Sequence, residues 1–156
     1  MTEVRNGDCV ELRTARSADL PRVLSLLNSA GLPTAGVAEA FSHFVVAESE
    51  DQVIGAAGLE VYGASALLRS VVVEDSWQGS GVGRRLIENA LDEAKQRAIN
   101  DVFLLTTTAE HYFPRFGFTC VNRESAAAEV QASVEFQGAC PDTAVLMRKG
   151  LKPETG

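Results

Sequence analysis

One glycine-rich turn constrains the fold of this 156-residue chain more than any other feature. It occupies residues 78–83, between an apolar segment at 67–73 and a segment of helical periodicity. Glycine lets the backbone approach a ligand closely, and the first turn of a helix presents N–H groups with partial positive charge. A strand, this turn and a helix therefore predict a phosphate-binding site. A tight turn that needs glycine for its own conformation is the alternative interpretation.

Two common nucleotide-binding motifs do not account for the turn. It lacks the Lys-Ser/Thr pair of a P-loop. A dinucleotide-binding fold would place the turn after a parallel strand. Here the short connections predict an antiparallel meander of strands at residues 43–49, 52–62 and 66–74.

Apolar periodicity along the chain predicts an α+β protein. We expect one domain over residues 1–156, with a mixed, mostly antiparallel sheet of six or seven strands flanked by four or five helices. Ser17 is the expected cap of the first helix, and Gly31 is its expected stop. Further helices are predicted at 36–40, 81–98, 109–116 and 126–136, and further strands at 10–14, 102–106, 118–122 and 143–148. Residues 151–156 are expected to fray.

Composition limits the compartment and the partners that we expect. A net charge of −7 argues against broad electrostatic binding of nucleic acid or anionic membrane. No apolar run approaches the roughly 20 residues of a membrane-spanning helix, and the first residues lack the apolar region of a signal peptide. Cys9, Cys120 and Cys140 match neither a disulfide framework nor a metal site. We therefore expect a cytoplasmic protein without a metal.

The glycine-rich turn resembles the pyrophosphate signature of the GNAT acetyltransferase superfamily, Gln/Arg-x-x-Gly-x-Gly/Ala. Gln78, Gly81 and Gly83 occupy its specified positions. A second family landmark is a short helix that runs into Gly-Phe, and the segment 109–118 ends in Phe116-Gly117-Phe118. The resemblance follows most of the chain in order, and it implies a GNAT-like sheet that binds acetyl-CoA.

The resemblance also implies which residues contact acetyl-CoA. The backbone of three successive strand residues is expected to hold the acetyl carbonyl and the pantetheine arm, namely Val71, Val72 and Val73. The pyrophosphate is expected to lie against the turn and the start of the helix, at Gln78, Gly79, Ser80, Gly81, Val82, Gly83 and Arg84.

A narrower resemblance concerns the substrate. Residues 67–70 and 104–109, together with Phe136 and Cys140-Pro141, resemble arsenic-resistance N-acetyltransferases and the acetyltransferase domains of N-acetylglutamate synthase. This resemblance implies a small amino-acid-like substrate that has an amine and an acid group.

Glu60 is the residue best suited to catalysis. Its carboxylate is expected to bind the substrate ammonium and accept its proton; the alternative is a strand-end residue that faces solvent. Arg69 lies two residues before Val71 and therefore on the same strand face. A guanidinium in an apolar strand needs an anionic partner, which is either the substrate carboxylate or Glu60. The predicted substrate site also includes Ser70, Thr106, Thr107 and Arg123, although strand-end capping explains Thr106 equally well.

The usual general acid of the family is missing from this sequence. Many GNAT enzymes have a tyrosine four residues before the glycine of Gly-Phe, and Phe113 occupies that position here. Tyr112 is adjacent but is expected to point elsewhere, with packing in the core or the groove as its favoured role. A water molecule, or simple release of the thiolate, is the alternative to a side-chain acid.

These features predict an acetyl-CoA-dependent N-acetyltransferase that acts by direct transfer on a small amino acid or a toxic amino-acid analogue. Acetylation of a peptide or protein amine is one alternative. A non-catalytic acyl-CoA sensor is another alternative, because Phe113 replaces the usual general acid. The expected partner is a small-molecule amine and not nucleic acid or membrane, and a homodimer is compatible with the sequence.

Overall fold

The computed structural model describes residues 10–107, 109–125, 128–131 and 144–151. The strands within these ranges are β1 (Glu11–Thr14), β2 (Phe44–Ser49), β3 (Gln52–Tyr62), β4 (Ser65–Val73), β5 (Asp101–Thr106), β6 (Thr119–Cys120) and β7 (Val145–Gly150). The α-helices are α1 (Leu20–Ser29), α2 (Val37–Ala40), α3 (Val82–Gln96) and α4 (Ala128–Gln131). The strands form one sheet in the order β1-β2-β3-β4-β5-β7-β6. Pairing is antiparallel for β1–β2, β2–β3, β5–β7 and β6–β7, and parallel for β4–β5. The predicted α+β class is confirmed.

The described residues divide into two compact units. The first unit contains the residues up to Gly58 together with Ser70–Ala90, and the second contains Leu59–Arg69 together with the residues from Leu91 onward. The boundaries fall inside β3, β4 and α3, so each of these elements contributes residues to both units. The single domain over 1–156 stays a prediction.

Two apolar clusters stabilise the first unit. Helices α1 and α2 bury their apolar stripe against β2 and β3 in a cluster that includes Val23, Leu27, Val37, Phe44, Val46 and Ala56. The first turns of α3 contribute to the second cluster, which contains Ile54, Ala57, Trp77, Val82 and Leu86. Full burial of one such large side chain stabilises the fold by roughly 1.5–3 kcal/mol. These clusters hold the end of β4 and the start of α3, where the glycine-rich turn lies.

A short parallel pairing organises the second unit. Residues Ser65, Ala66 and Leu67 of β4 lie opposite Asp101, Val102 and Phe103 of β5. The Ser65 hydroxyl donates a hydrogen bond to Asp101 Oδ1 at 2.6 Å, and Arg148 Nε lies 3.3 Å from Asp101 Oδ2. The pairing between the two strands ends at Leu67 and Phe103. Within this unit β4 then continues to Arg69, and β5 continues to Thr106.

Most predicted elements are confirmed within a few residues, but the segment 109–116 is a correction. The structure has turns there and a 3-10 helix at Phe113–Phe116. Pro114 has no N–H to donate, and it disfavours helical backbone in the residue before it. The strand predicted over 118–122 is reduced to Thr119–Cys120. Of the helix predicted over 126–136 the structure describes Ala128–Gln131, and the other residues lie outside the described ranges.

Ser17 does not cap α1, which is a second correction. It lies in a 3-10 helix, Ser17–Asp19, that precedes α1. The carboxylate of Asp19 accepts a hydrogen bond from the backbone N–H of Arg16 at 2.7 Å and forms an ion pair with Arg13 at 2.8 Å. The hydrogen bond from the Arg13 guanidinium lowers the pKa of Asp19 below its usual value. The helix ends, as predicted, just before Gly31, which has a φ of 72°.

Gly58 gives a direct test of the packing between β2 and β3. It lies opposite Phe44, and a Cβ atom built at residue 58 would be 2.2 Å from Cε1 of the Phe44 ring. Overpacking of this kind costs roughly 1–3 kcal/mol. We expect Gly58→Ala to lower the free energy of unfolding in urea within that range. Gly150→Ala is the matched control, because its Cβ would lie 3.9 Å from the Arg148 guanidinium. Equal stability of the two variants would contradict this account.

Candidate active site

Strand β4 changes backbone conformation at Ser70, within a buried segment. Ser70 has a φ of 60° and is 7% exposed. A left-handed conformation in a residue other than glycine costs on the order of 1–3 kcal/mol and persists only where its surroundings impose it. Within a strand it is typical of a β-bulge, which redirects the side chains that follow. Beyond Ser70, Val71 and Val73 pack against the Trp77 cluster, whereas Val72 belongs to the cluster formed with α1.

The turn after β4 is closed by its own hydrogen bonds. It begins with a 3-10 helix, Asp75–Trp77, whose Trp77 is buried in the core. Gln78 is exposed, and its Nε2 donates to the carbonyl oxygen of Val73 at 3.3 Å. The Ser80 hydroxyl donates to the carbonyl oxygen of Trp77. The turn therefore has a defined shape before α3 begins.

Two of the turn's glycines have backbone conformations that favour glycine. The φ angles are 82° at Gly79 and 92° at Gly81, and a Cβ built at either residue would meet nothing within 4 Å. Glycine is therefore required here by the backbone and not by crowding. The carbonyl of Gly81 accepts the N–H of Arg85 at 3.1 Å, so Val82 and Gly83 stand in the first turn of α3. N–H groups in that turn have no partner within the helix.

The two arginines that follow are engaged differently. Arg84 lies on the exposed surface, and its Nε forms an ion pair with Glu88 at 3.1 Å. Arg85 is half-buried and donates through Nη1 to the carbonyl oxygen of Val10 at 3.1 Å. Arg84 keeps the exposure that contact with a phosphate requires, whereas Arg85 tethers the chain that precedes β1.

A tether from α1 supports the residue at which the turn begins. Arg22 donates to the carbonyl oxygen of Val53 at 2.9 Å, and its Nη2 lies 2.9 Å from Glu74 Oε2. The other oxygen of Glu74 accepts a hydrogen bond from Ser76 at 2.9 Å. The backbone N–H of Glu74 donates to Ile54 at 2.8 Å. Glu74 thus connects α1, β3 and the turn.

Glu60 and Arg69 form a buried ion pair in the second unit. Arg69 Nη1 lies 2.7 Å from Glu60 Oε2, and the side chains of Arg69 and Glu60 are 0% and 7% exposed. The solvent-facing alternative for Glu60 is therefore wrong, and Glu60 is a partner of Arg69. The hydroxyl of Tyr62 donates to the second oxygen of Glu60. Sequence reasoning missed Tyr62, although its two-residue spacing from Glu60 places it on the same strand face.

The remaining predicted substrate residues lie in other parts of the second unit. Thr106 Oγ1 accepts the N–H of Ala109 at 2.9 Å, which is the strand-end cap that the sequence left open. Thr107 is exposed. Arg123 is half-buried, and its Nη2 donates to the carbonyl oxygen of Ala144 at 3.1 Å.

The residues around Gly117 form an aromatic cluster. Phe113 is buried, with ring centroids 5.5 Å from Tyr112 and 5.8 Å from Phe118. The Arg115 guanidinium lies 4.4 Å from the centroid of the Tyr112 ring. Tyr112 therefore packs, as favoured from the sequence, and Phe113, at the position where the resemblance implies a tyrosine, is an apolar ring.

The predicted site residues are shared between the two units. Those assigned to acetyl-CoA all belong to the first unit, as does Ser70, whereas Glu60, Arg69, Thr106, Thr107 and Arg123 belong to the second. Within the described ranges, no group of three or more His, Cys, Asp or Glu side chains could hold a metal ion. No helix in the described part of the chain is long and apolar enough to cross a membrane.

The acetyltransferase (GNAT) domain family matches residues 40–120, which include β4, the glycine-rich turn and α3. The chain belongs to the GNAT family. An amino-acid acetyltransferase from Mycobacterium tuberculosis is 34% identical over 143 residues, which cover 83% of this chain and 80% of that protein. An uncharacterized N-acetyltransferase from Chlorobaculum tepidum is 32% identical over 89 residues, which cover 56% of this chain and 57% of that protein.

Solved structures agree with this assignment. N-acetylglutamate synthase from Neisseria gonorrhoeae, complexed with coenzyme A and N-acetyl-glutamate, superposes with a TM-score of 0.80 at 21% identity, over 92% of this chain and 35% of that one, and shows the shared fold. A Mycobacterium tuberculosis protein in complex with CoA and a second ligand gives a TM-score of 0.77 at 25% identity, over 91% and 99% of the two chains. Membership of this acetyltransferase family, and acetyl-CoA as the acetyl donor, are thus confirmed.

Gly81 tests the cosubstrate site of this GNAT protein. A β-branched side chain there would occupy the open space in front of the helix and strain a backbone with a φ of 92°. We expect Gly81→Val to weaken acetyl-CoA binding at least about tenfold by calorimetry, the equivalent of roughly 1.4 kcal/mol. Gly31→Val is the matched control, because Gly31 has a φ of 72° and equally open surroundings but lies at the end of α1. Wild-type affinity of Gly81→Val for acetyl-CoA would show that the turn is not part of the cosubstrate site.

The tether at Arg22 gives a second test. Arg22→Gln removes the ion pair with Glu74, the residue from which the turn begins. A partly exposed ion pair contributes up to about 1 kcal/mol. We expect KM for acetyl-CoA to rise about two- to fivefold while kcat stays close to wild type. Arg97→Gln, which removes an exposed ion pair with Glu93, serves as the control. A fall in kcat without a change in KM would show that the tether does not act on cosubstrate binding.

Proposed function

We propose that this acetyltransferase acetylates the amine of a small amino acid by direct transfer, with Glu60 as the base. The observation that carries the proposal is a carboxylate that is 7% exposed and bound at both oxygens, two residues before the end of β3. A buried carboxylate retains lone pairs that can accept a proton from an ammonium group. The amino-acid acetyltransferase from Mycobacterium tuberculosis, at 34% identity, supports this class of substrate.

The proposed reaction uses backbone groups on β4 and the Glu60 carboxylate. Glu60 takes a proton from the substrate ammonium, and the amine nitrogen then bonds to the acetyl carbon as the carbon–sulfur bond breaks. N–H groups in the segment 71–73 stabilise the negative charge on the acetyl oxygen, as preorganised dipoles do in other acyl transfers. The second proton, which the acylated nitrogen must lose, passes through water to the departing thiolate, because Phe113 offers no proton. Glu60 returns its own proton to solvent. Residues 78–84 hold the pyrophosphate through the first turn of α3.

Arg69 has a constrained part in this proposal. Its guanidinium is already bound to Glu60. A guanidinium has five N–H donors and can contact more than one carboxylate, and Arg69 is proposed to bind the substrate carboxylate in addition to Glu60. The acid group of the zwitterionic substrate would then lie beside the Arg69 guanidinium, and its amine would lie beside the Glu60 carboxylate. Ser70, Thr106, Thr107 and Arg123 remain proposed substrate contacts.

Three finer features belong to the same proposal. Toxic amino-acid analogues, arsenicals included, are proposed as further substrates on the resemblance of residues 67–70 and 104–109. A cytoplasmic location is proposed from the irregular cysteine pattern. A homodimer is proposed as the assembly. A screen of amino acids, phosphinic and arsinic analogues for release of CoA tests the substrate class, and sedimentation of the purified chain tests the assembly.

Glu60→Gln tests the proposed base. The amide is nearly isosteric and can still accept from Arg69, but it cannot take a proton. We expect kcat on the best amino acid to fall by about 10²–10⁴, the range for a positioned acid or base, with acetyl-CoA affinity unchanged. Glu93→Gln, at an exposed ion pair on α3, is the control and should retain wild-type kcat. Wild-type turnover by Glu60→Gln would remove Glu60 from the mechanism. Failure of every amino acid in the screen would overturn the substrate class.

A further inference from the structure

The two oxygens of Glu60 are held by different residues. Arg69 contacts Oε2 at 2.7 Å from a side chain with no solvent exposure. Tyr62 donates its hydroxyl to Oε1 and is half-buried. Arg69 meets the electrostatic need of a buried carboxylate, since it supplies the opposite charge. Tyr62 adds no charge, so its contribution is geometric.

The ring of Tyr62 is itself fixed by packing. It lies against the apolar cluster of the second unit, whose buried members are Leu67, Phe103, Val130 and Leu146. The last torsion of a glutamate side chain is broad and roughly two-fold, so donors held in fixed positions are needed to keep the carboxylate plane in one orientation. A second donor on the other oxygen, mounted on a packed ring, restricts rotation of that plane.

We infer that Tyr62 is a positioning residue for Glu60 in the acetyl transfer. Its hydroxyl holds the carboxylate plane and so keeps the direction in which Glu60 accepts the proton of the substrate amine. Misplacement of a reacting group by a fraction of an ångström to an ångström lowers rates strongly. The inference rests on the proposed function, because it assumes that Glu60 is the base.

Tyr62→Phe removes the hydroxyl and keeps the ring. We expect kcat for the amino-acid substrate to fall roughly tenfold, the size of one lost hydrogen bond to a charged group. KM for acetyl-CoA should stay at its wild-type value, because the ring still packs in its cluster, and the thermal transition should fall by only a few degrees from the lost hydrogen bond. Tyr112→Phe is the matched control, since it removes the hydroxyl of the other tyrosine in the chain, and it should keep kcat within about threefold of wild type.

Together, the variants Tyr62→Phe and Glu60→Gln distinguish the positioning role of Tyr62 from the proposed role of Glu60 as the base. If Tyr62 acts through Glu60, Tyr62→Phe should cost about twofold or less in the Glu60→Gln background. Full additivity of the two losses would overturn the positioning role, and so would wild-type kcat in Tyr62→Phe. A fall in stability and in acetyl-CoA affinity together with kcat would assign Tyr62 to the core and also overturn it. In each of these cases a large loss in Glu60→Gln alone leaves the proposed base intact.

Discussion

Burial of a charged guanidinium on β4 is the constraint on which the rest of the site depends. Arg69 has no solvent exposure, and an unpaired charge in that position would cost several kcal/mol. Glu60 must therefore stand beside it on β3, and a one-residue slip of the hairpin would turn Glu60 to the opposite face. The ion pair thus requires Glu60 and Arg69 to lie on the same face of the sheet. The left-handed residue Ser70 follows Arg69 directly, and the segment 71–73 continues the same strand.

The predicted cosubstrate site begins at the end of that strand. β4 delivers the chain to Glu74, which is anchored by Arg22 on α1 and by the backbone of β3. From this anchored residue a 3-10 helix and two left-handed glycines lead into α3. Strand, tether and helix together hold a turn whose own residues are largely exposed. A rigid frame around an open turn suits a site that must admit phosphate without rearrangement.

Sequence reasoning succeeded where the signal is local and failed where a long-range contact decides. The 3.6-residue period after Gly81 predicted α3, and the strand-like segment between two turns predicted β3 with the bounds that the structure has. The segment 109–116 also has apolar residues at helical spacing, but Pro114 and the packing of Phe113 against Phe118 decide its conformation. The family assignment rested on spacing within the glycine-rich turn, which is again a local property. Tyr62 had no motif of its own, so the sequence did not single it out.

By itself, the sequence determined the helices and strands with strong periodicity, the positions that need glycine, and the family to which the chain belongs. Each depends on residues close to one another along the chain, so the physical cause is visible in the order of residues. Only the tertiary structure decided the partner of Arg69, the capping role of Thr106 and the second contact of Glu60. Arg69 could have met a substrate carboxylate or Glu60, and the sequence left both open. Folding brings Glu60 within 2.7 Å and removes the solvent from both side chains, and that burial makes the ion pair obligatory.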